Sequence, residues 1–206
     1  MQKRPYADRD GWRLWLSGTE CSALLDTYRD QPERQLALAL GLHGLRVSEI
    51  VDVQPRDIRE NHADRGLAVL EVRSGKDDRR RELPLSTQTQ TLARRHRNSA
   101  NVGTRESLVD HSTRSLGNWI AEARTVLDAA GAEELGMHDL RRTWATRSFY
   151  ALAASGVPIA EELVMGWGGW KQNARGRETF RENYLGPVPD ATAAAVADAL
   201  PLPDPS

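Results

Sequence analysis

The chain has 206 residues, 28% of them charged and 6% aromatic, and a formal net charge of -1. That length buries a proper core in one domain with short appendages, and the near balance of charge does not announce a nucleic-acid binder. Cys21 is the only cysteine, which excludes an intrachain disulfide and a cysteine-based metal site and fits a reducing cytoplasm. No apolar run is long enough to span a membrane, and the polar N-terminus is not a secretory signal. Among 28 cations only Lys3, Lys76 and Lys171 are lysines, leaving 25 arginines. Arginine is favoured for bidentate phosphate contact, and a GC-rich genome explains the bias equally well.

Residues 1–18 place Trp12, Trp15 and Leu16 among charges and read as an arm or short helix that docks by its aromatics. Thr19 is positioned to cap a helix running to residue 30, with Leu24, Leu25 and Tyr28 at helical spacing. Pro32 suits the first turn of a second helix over 33–43, where Leu36, Leu38, Leu40 and Leu42 alternate with alanines. Then comes GLRVSEI. Arg46 follows a core helix, and Glu49, three residues on, either steadies its guanidinium or makes a surface salt bridge of little worth.

A small sheet is expected to start near 56–58. Residues 66–73 alternate as a strand, and 79–85 read as its antiparallel partner. The polar turn SGKDD between them sets Lys76 at a hairpin tip, where it reaches into a cleft or stays solvated. Arg79, Arg80 and Arg81 read as a solvated strand edge in preference to a DNA patch. Helices are expected over 87–97 and over 112–130, the latter amphipathic through Leu116, Ile120, Ala123 and Leu127, with Gly131 as its stop. A third spans the region from 137 until it fades near Gly156, and Pro158 starts a fourth.

Within 137–150, MHDLRRTWATRSFY, His138 and Arg141 lie three residues apart and share a helix face, backed by Leu140, Trp144 and Phe149. A planar guanidinium fork beside an imidazole suits a phosphate; the same pair also suits a solvated face. The stretch GWGGW over 166–170 flanks glycines with two indoles, which serve a phosphate or sugar or simply pin a turn. A polar loop is expected over 171–177, then a helix over 178–184 ending in Tyr184. The tail carries a short alanine-rich helix over 191–200 between prolines.

In order, GLRVSEI, the hairpin lysine of SGKDDRRRELPL, HDLRRTWAT, MGW and the tyrosine of FRENYLG resemble the catalytic domain of a tyrosine recombinase (phage-integrase family) across residues 19–186. The resemblance implies a mainly helical α+β fold with a small antiparallel sheet of about three strands. It implies an N-terminal arm at 1–18, a catalytic domain at 19–187 and a tail at 188–206 that docks in trans.

It also implies a site-specific recombinase that cleaves and rejoins double-stranded DNA through a 3′-phosphotyrosyl intermediate, as mobile genetic elements use for integration. Tyr184 is the implied nucleophile, Arg46 and Arg141 the phosphate clamp, Lys76 the general acid and His138 the partner in proton transfer. Glu49 falls where the family has an orienting acid, and Trp167 at the family's His/Trp position, with Trp170 its rival. Trp167 lies seventeen residues before Tyr184, against about nine in the family, so 171–177 reads as an insertion. No cofactor is expected, because side-chain cations replace a metal; the sequence has no P-loop and no clustered carboxylates for magnesium.

The expected partners are double-stranded DNA and three further copies, a homotetramer on two DNA sites and a monomer in solution, in the cytoplasm of a prokaryotic cell or its virus or mobile element, with no membrane. The family's separate clamp domain is too large for residues 1–18, so an isolated catalytic domain or a minimal recombinase is expected. The alternatives are a DNA-binding protein that kept this fold and lost the reaction, and a type IB-like topoisomerase.

Overall fold

The computed structural model describes residues 1–60, 67–73, 80–187 and 189. Helices dominate, with two small antiparallel sheets beside them. The chain opens with a ribbon of β1 (Gln2–Pro5) and β2 (Trp12–Trp15), paired from Gln2↔Trp15 to Pro5↔Trp12. The aromatics expected to dock residues 1–18 do so from a strand: Leu14, Trp15 and Leu16 are buried.

Helix α1 (Gly18–Asp26) is capped by Ser17, two residues earlier than the expected Thr19, through a reciprocal box with Glu20. Ser17 N donates to Glu20 Oε2 at 2.8 Å, and Glu20 N to Ser17 Oγ at 3.3 Å, so two orphan donors are satisfied. Helix α2 (Pro32–Gly41) carries Pro32 in its first turn and buries every residue from Leu36 to Gly41. A helix apolar all round belongs inside, and α2 packs against α1, α4, α5 and α6. Each fully buried leucine there contributes about 1.5–3 kcal/mol.

The single turn α3 (Val47–Ile50) follows, then β3 (Ile58–Glu60), β4 (Leu67–Val72) and β5 (Arg81–Ser86) in a meander ordered β3-β4-β5. Its last pair before residues 74–79 is Val72↔Arg81. Helix α4 (Thr87–Ala100) leaves β5 directly, capped by Ser86.

Helix α5 is shorter than expected. It covers Thr113–Ala123, one 3-10 turn follows at Arg124–Val126, and Leu127 turns extended. The β-branched pair Thr125–Val126 is a poor helix former, and Arg124 Nη1 reaches across to the Leu135 carbonyl at 3.0 Å. Helix α6 (Met137–Ala154) closes at Gly156, whose φ is +74°. Helix α7 (Ala160–Gly168) begins two residues after Pro158.

Helix α8 (Ala174–Asn183) takes in the second half of the expected loop. Asn173 caps it, accepting from Gly176 N at 2.9 Å. A Cβ on Gly176 would lie 1.8 Å from the Lys171 carbonyl oxygen, so glycine is required inside that first turn. Glycine's low helix propensity is why the sequence reads as loop there. The expected helix over 191–200 lies outside the described residues.

Gly44, just after α2, has φ +88°, and a Cβ there would sit 2.3 Å from the Trp144 ring. Gly44→Ala combines left-handed strain with overpacking and is expected to cost about 3 kcal/mol or more. Urea unfolding measures it; a change under about 0.5 kcal/mol would contradict this packing.

Candidate active site

Helix α6 positions the site from its first two turns. Asp139 caps the helix start, its Oδ2 accepting from Gly136 N at 3.0 Å. The same carboxylate accepts Leu14 N at 3.2 Å and pairs with Arg142, while Thr143 Oγ1 accepts Leu16 N at 3.0 Å. The ribbon is thereby sewn to α6. With Asp139 and Arg142 turned to the ribbon, Arg141 points into the core and His138 stays exposed.

Arg141 is 0% exposed, the largest fully buried side chain among the described residues. Its Nη1 donates to the Gly44 carbonyl and its Nη2 to the Gly168 carbonyl at 2.7 Å. Nε is buried without a hydrogen-bond partner among the described residues. The Trp170 ring lies over the guanidinium at 4.2 Å and the Tyr184 ring at 5.6 Å. Burial, and then the charge of Arg46, pull its pKa down to about 10, so it remains a cation at neutral pH.

Arg46 sits at the start of α3, and Glu49 is not at the surface: its side chain is 1% exposed. The Arg46–Glu49 contact is Nη1 to Oε1 at 2.6 Å, and Arg46 N also donates to Oε2 at 2.7 Å. Arg46 Nη2 approaches the Gly169 carbonyl at 3.4 Å. The two guanidiniums Arg46 and Arg141 are therefore tied to consecutive carbonyls of one turn. Arg81, expected at a solvated edge, is 7% exposed and grips the same Glu49 from the other side. Burial would raise the Glu49 carboxyl, but the Arg81 hydrogen bonds and charge, then Arg46, hold it below its ordinary value. Sequence reasoning missed Arg81 because a strand-edge arginine in RRR carries no sign of its inward face; alternation from Leu83 and Leu85 was the signal present.

Tyr184 ends α8 and is half-buried. Its ring packs against His138 at 5.3 Å and edge-on to Trp170 at 4.5 Å. Its carbonyl accepts from Thr146 Oγ1 at 2.8 Å and from Trp15 Nε1 at 3.0 Å. Of the two tryptophans considered, Trp170 makes the ring contacts with Tyr184, Trp144 and Phe180. Trp167 is half-buried and joins through its carbonyl, which accepts Arg81 Nε at 2.7 Å. Tyr150 hydroxyl lies 3.5 Å from the Gly186 carbonyl, one side of α6 away from this cluster. Lys76 lies outside the described residues. Thus Arg46, Glu49, His138, Arg141, Trp170 and Tyr184 come together, and Arg81 joins them.

His138 has its pKa lowered to about 4, through partial burial and then the charges of Arg142, Arg141 and Arg46. His138 keeps exposed surface, and the guanidiniums crowded against it disfavour a further positive charge there. The imidazole is therefore neutral at pH 7, one nitrogen a donor and the other an acceptor. Among the described residues no group of His, Cys, Asp and Glu could hold a metal ion, and no helix is long and apolar enough to cross a membrane.

No protein-family profile matches the sequence. No curated protein matches it either. Solved structures do. The chain is similar to XerA recombinase at 16% identity, over 93% of this chain and 66% of that one, with a TM-score of 0.65. It is similar to the Tn1549 transposon integrase in complex with circular-intermediate DNA at 19% identity, over 93% and 67%, with a TM-score of 0.57. It is similar to a lambda integrase in a tetramer bound to a Holliday junction at 18% identity, over 88% and 51%, with a TM-score of 0.56. The chain thus spans about two thirds of the first two and about half of the third. Its fold is that of a tyrosine recombinase catalytic domain.

The lowered His138 pKa makes a prediction about stability. Above the unfolded value of about 6.5 the ring is neutral in both states. As pH falls from there through about 4, the unfolded chain binds a proton that the folded chain refuses, so stability falls across that window. Denaturant midpoints measured between pH 7 and pH 4 should fall less steeply for His138→Gln than for the unmodified protein. Parallel slopes would contradict the crowding of His138 by arginines.

Proposed function

We propose that this protein cleaves and rejoins double-stranded DNA, with Tyr184 as nucleophile and a 3′-phosphotyrosyl intermediate. The observation that carries this reading is the convergence of Tyr184, His138, Arg46 and Arg141 around the carbonyls of Gly168 and Gly169, on this fold. A phenol with an ordinary pKa of about 10 is a poor nucleophile unless its proton leaves as the bond forms. His138, neutral and against the Tyr184 ring, is placed to take part in that transfer. The new bond joins the tyrosine oxygen to phosphorus, and the bond to the 5′-oxygen breaks. The leaving oxygen takes a proton, in this reading from Lys76. One phosphodiester is exchanged for another, so no outside energy is consumed.

Arg46 and Arg141 would stabilise charge on the non-bridging oxygens in the transition state. Arg46 is the accessible member, with a quarter of its side chain exposed. Arg141 lies under Trp170 and keeps one donor, Nε, without a partner among the described residues, which would serve a phosphate oxygen. The lambda tetramer on a Holliday junction motivates a homotetramer on two DNA sites as the working assembly. The same burial of Arg141 favours a second reading, in which the guanidinium only braces the fold and the protein holds DNA without cutting it.

A suicide DNA substrate, nicked beside the scissile phosphate, separates the two. A protein–DNA adduct on a denaturing gel that vanishes with Tyr184→Phe, while DNA binding stays within about threefold, is the expected result. Binding with no adduct from the unmodified protein selects the second reading.

A further inference from the structure

We propose that Arg81 is a positioning residue of this site: it neutralises the buried Glu49 carboxylate and thereby leaves Arg46 a net cation toward phosphate. The inference rests on the proposed DNA-cleavage reading and deepens it.

Glu49 is buried against Arg46, a proposed phosphate ligand, and an unneutralised carboxylate there would repel the phosphate. Paired with Arg46 alone, it would also cancel the charge that Arg46 offers. The structure resolves this with a second guanidinium. Arg81 Nη1 donates to Glu49 Oε1 at 2.8 Å and Nη2 to Oε2 at 2.7 Å, a two-pronged grip. Arg46 fills the remaining positions, Nη1 on Oε1 at 2.6 Å and its backbone N on Oε2 at 2.7 Å. An ionised carboxylate has about four lone-pair sites, and all are used. The three groups carry a net charge of about +1, and the more exposed cation is Arg46, at 25% against 7% for Arg81.

The third donor of Arg81 fixes the floor of the site. Its Nε holds the Trp167 carbonyl at 2.7 Å, one residue before the Gly168 and Gly169 carbonyls that anchor Arg141 and Arg46. A Cβ on Gly169 would lie 3.0 Å from Arg81 Cδ, so the arginine stem runs directly under that turn. Arg81 also begins β5, paired with Val72 at the base of residues 74–79. One side chain therefore joins the sheet, the Arg46 turn and the end of α7. A lysine reproduces the charge but not the fork.

The test is single-turnover cleavage of two suicide substrates, one with the natural scissile phosphodiester and one with a neutral methylphosphonate at that position. Arg81→Gln is expected to lose about 100-fold in rate on the phosphodiester and far less, under about threefold, on the methylphosphonate, which has no anionic oxygen to neutralise. Arg81→Lys should fall between. The double variant Arg81→Gln with Glu49→Gln removes the unpaired carboxylate and should recover part of the phosphodiester rate. Equal losses on both substrates, or a double variant slower than Arg81→Gln, would overturn the electrostatic role. Should Arg81→Gln prove unfolded by circular dichroism, the ratio of the two substrates is read from Arg81→Met, which keeps an apolar stem and removes the charge, and where an unchanged ratio overturns it. Failure of the unmodified protein to cleave either substrate overturns the underlying reading instead.

Discussion

The structure depends on accommodating one charge, the guanidinium of Arg141, with none of its surface in water. No carboxylate pairs with it among the described residues; backbone carbonyls of Gly44 and Gly168 do, from widely separated parts of the chain. Burying an unpaired ion costs several kcal/mol, and carbonyl dipoles, the Trp170 face and nearby Glu49 offset it. Both carbonyls belong to residues that must be glycine. At Gly44 a Cβ would enter the Trp144 ring, and at Gly168 it would lie 1.9 Å from the Trp170 ring. The two indoles stack on each other with centroids 6.2 Å apart. Gly168 leaves room for the Trp170 ring that lies over Arg141, and Gly44 for the Trp144 ring stacked on it.

A second consequence is how Tyr184 is held. Its main chain is anchored by neutral donors from Trp15 and Thr146, and the preceding Asn183 carbonyl by Arg142 Nε at 3.1 Å. Arg13 reaches Asn183 Oδ1 at 2.8 Å. The N-terminal ribbon thus fixes the end of α8 directly, through Arg13 and Trp15, together with Arg142 and Thr146 of α6, while the described contacts of the Tyr184 ring are aromatic and cationic.

Much of this was legible in the sequence. The buried helix α2 showed as leucines between alanines, and β4 and β5 as alternation around a polar turn. Arg46, His138, Arg141 and Tyr184 stood out through their motifs, which lie far apart in the chain but meet at one turn. Three features stayed hidden for identifiable reasons. The ribbon at residues 1–15 draws its order from Asp139 and Thr143, more than a hundred residues away. The first turn of α8 was masked by Gly176, whose reason is a contact with Lys171. Arg81 looked like one cation of a basic run; its alternation with Leu83 and Leu85 hinted at an inward face, and its pairing with buried Glu49 gives the reason for it. Long-range side-chain partners decide the ribbon and Arg81, and a close backbone carbonyl decides Gly176; local hydrophobic periodicity reports none of these contacts.

The most direct test of the central claim is to locate the covalent bond itself. Trapped protein–DNA complex would be digested with nuclease and trypsin, and the nucleotide-bearing peptide sequenced by mass spectrometry. The account predicts a nucleotide linked through its 3′-phosphate to Tyr184, in the peptide that follows Arg181. Linkage to Tyr150 or to any other residue, or a 5′-phosphate attachment, would contradict it.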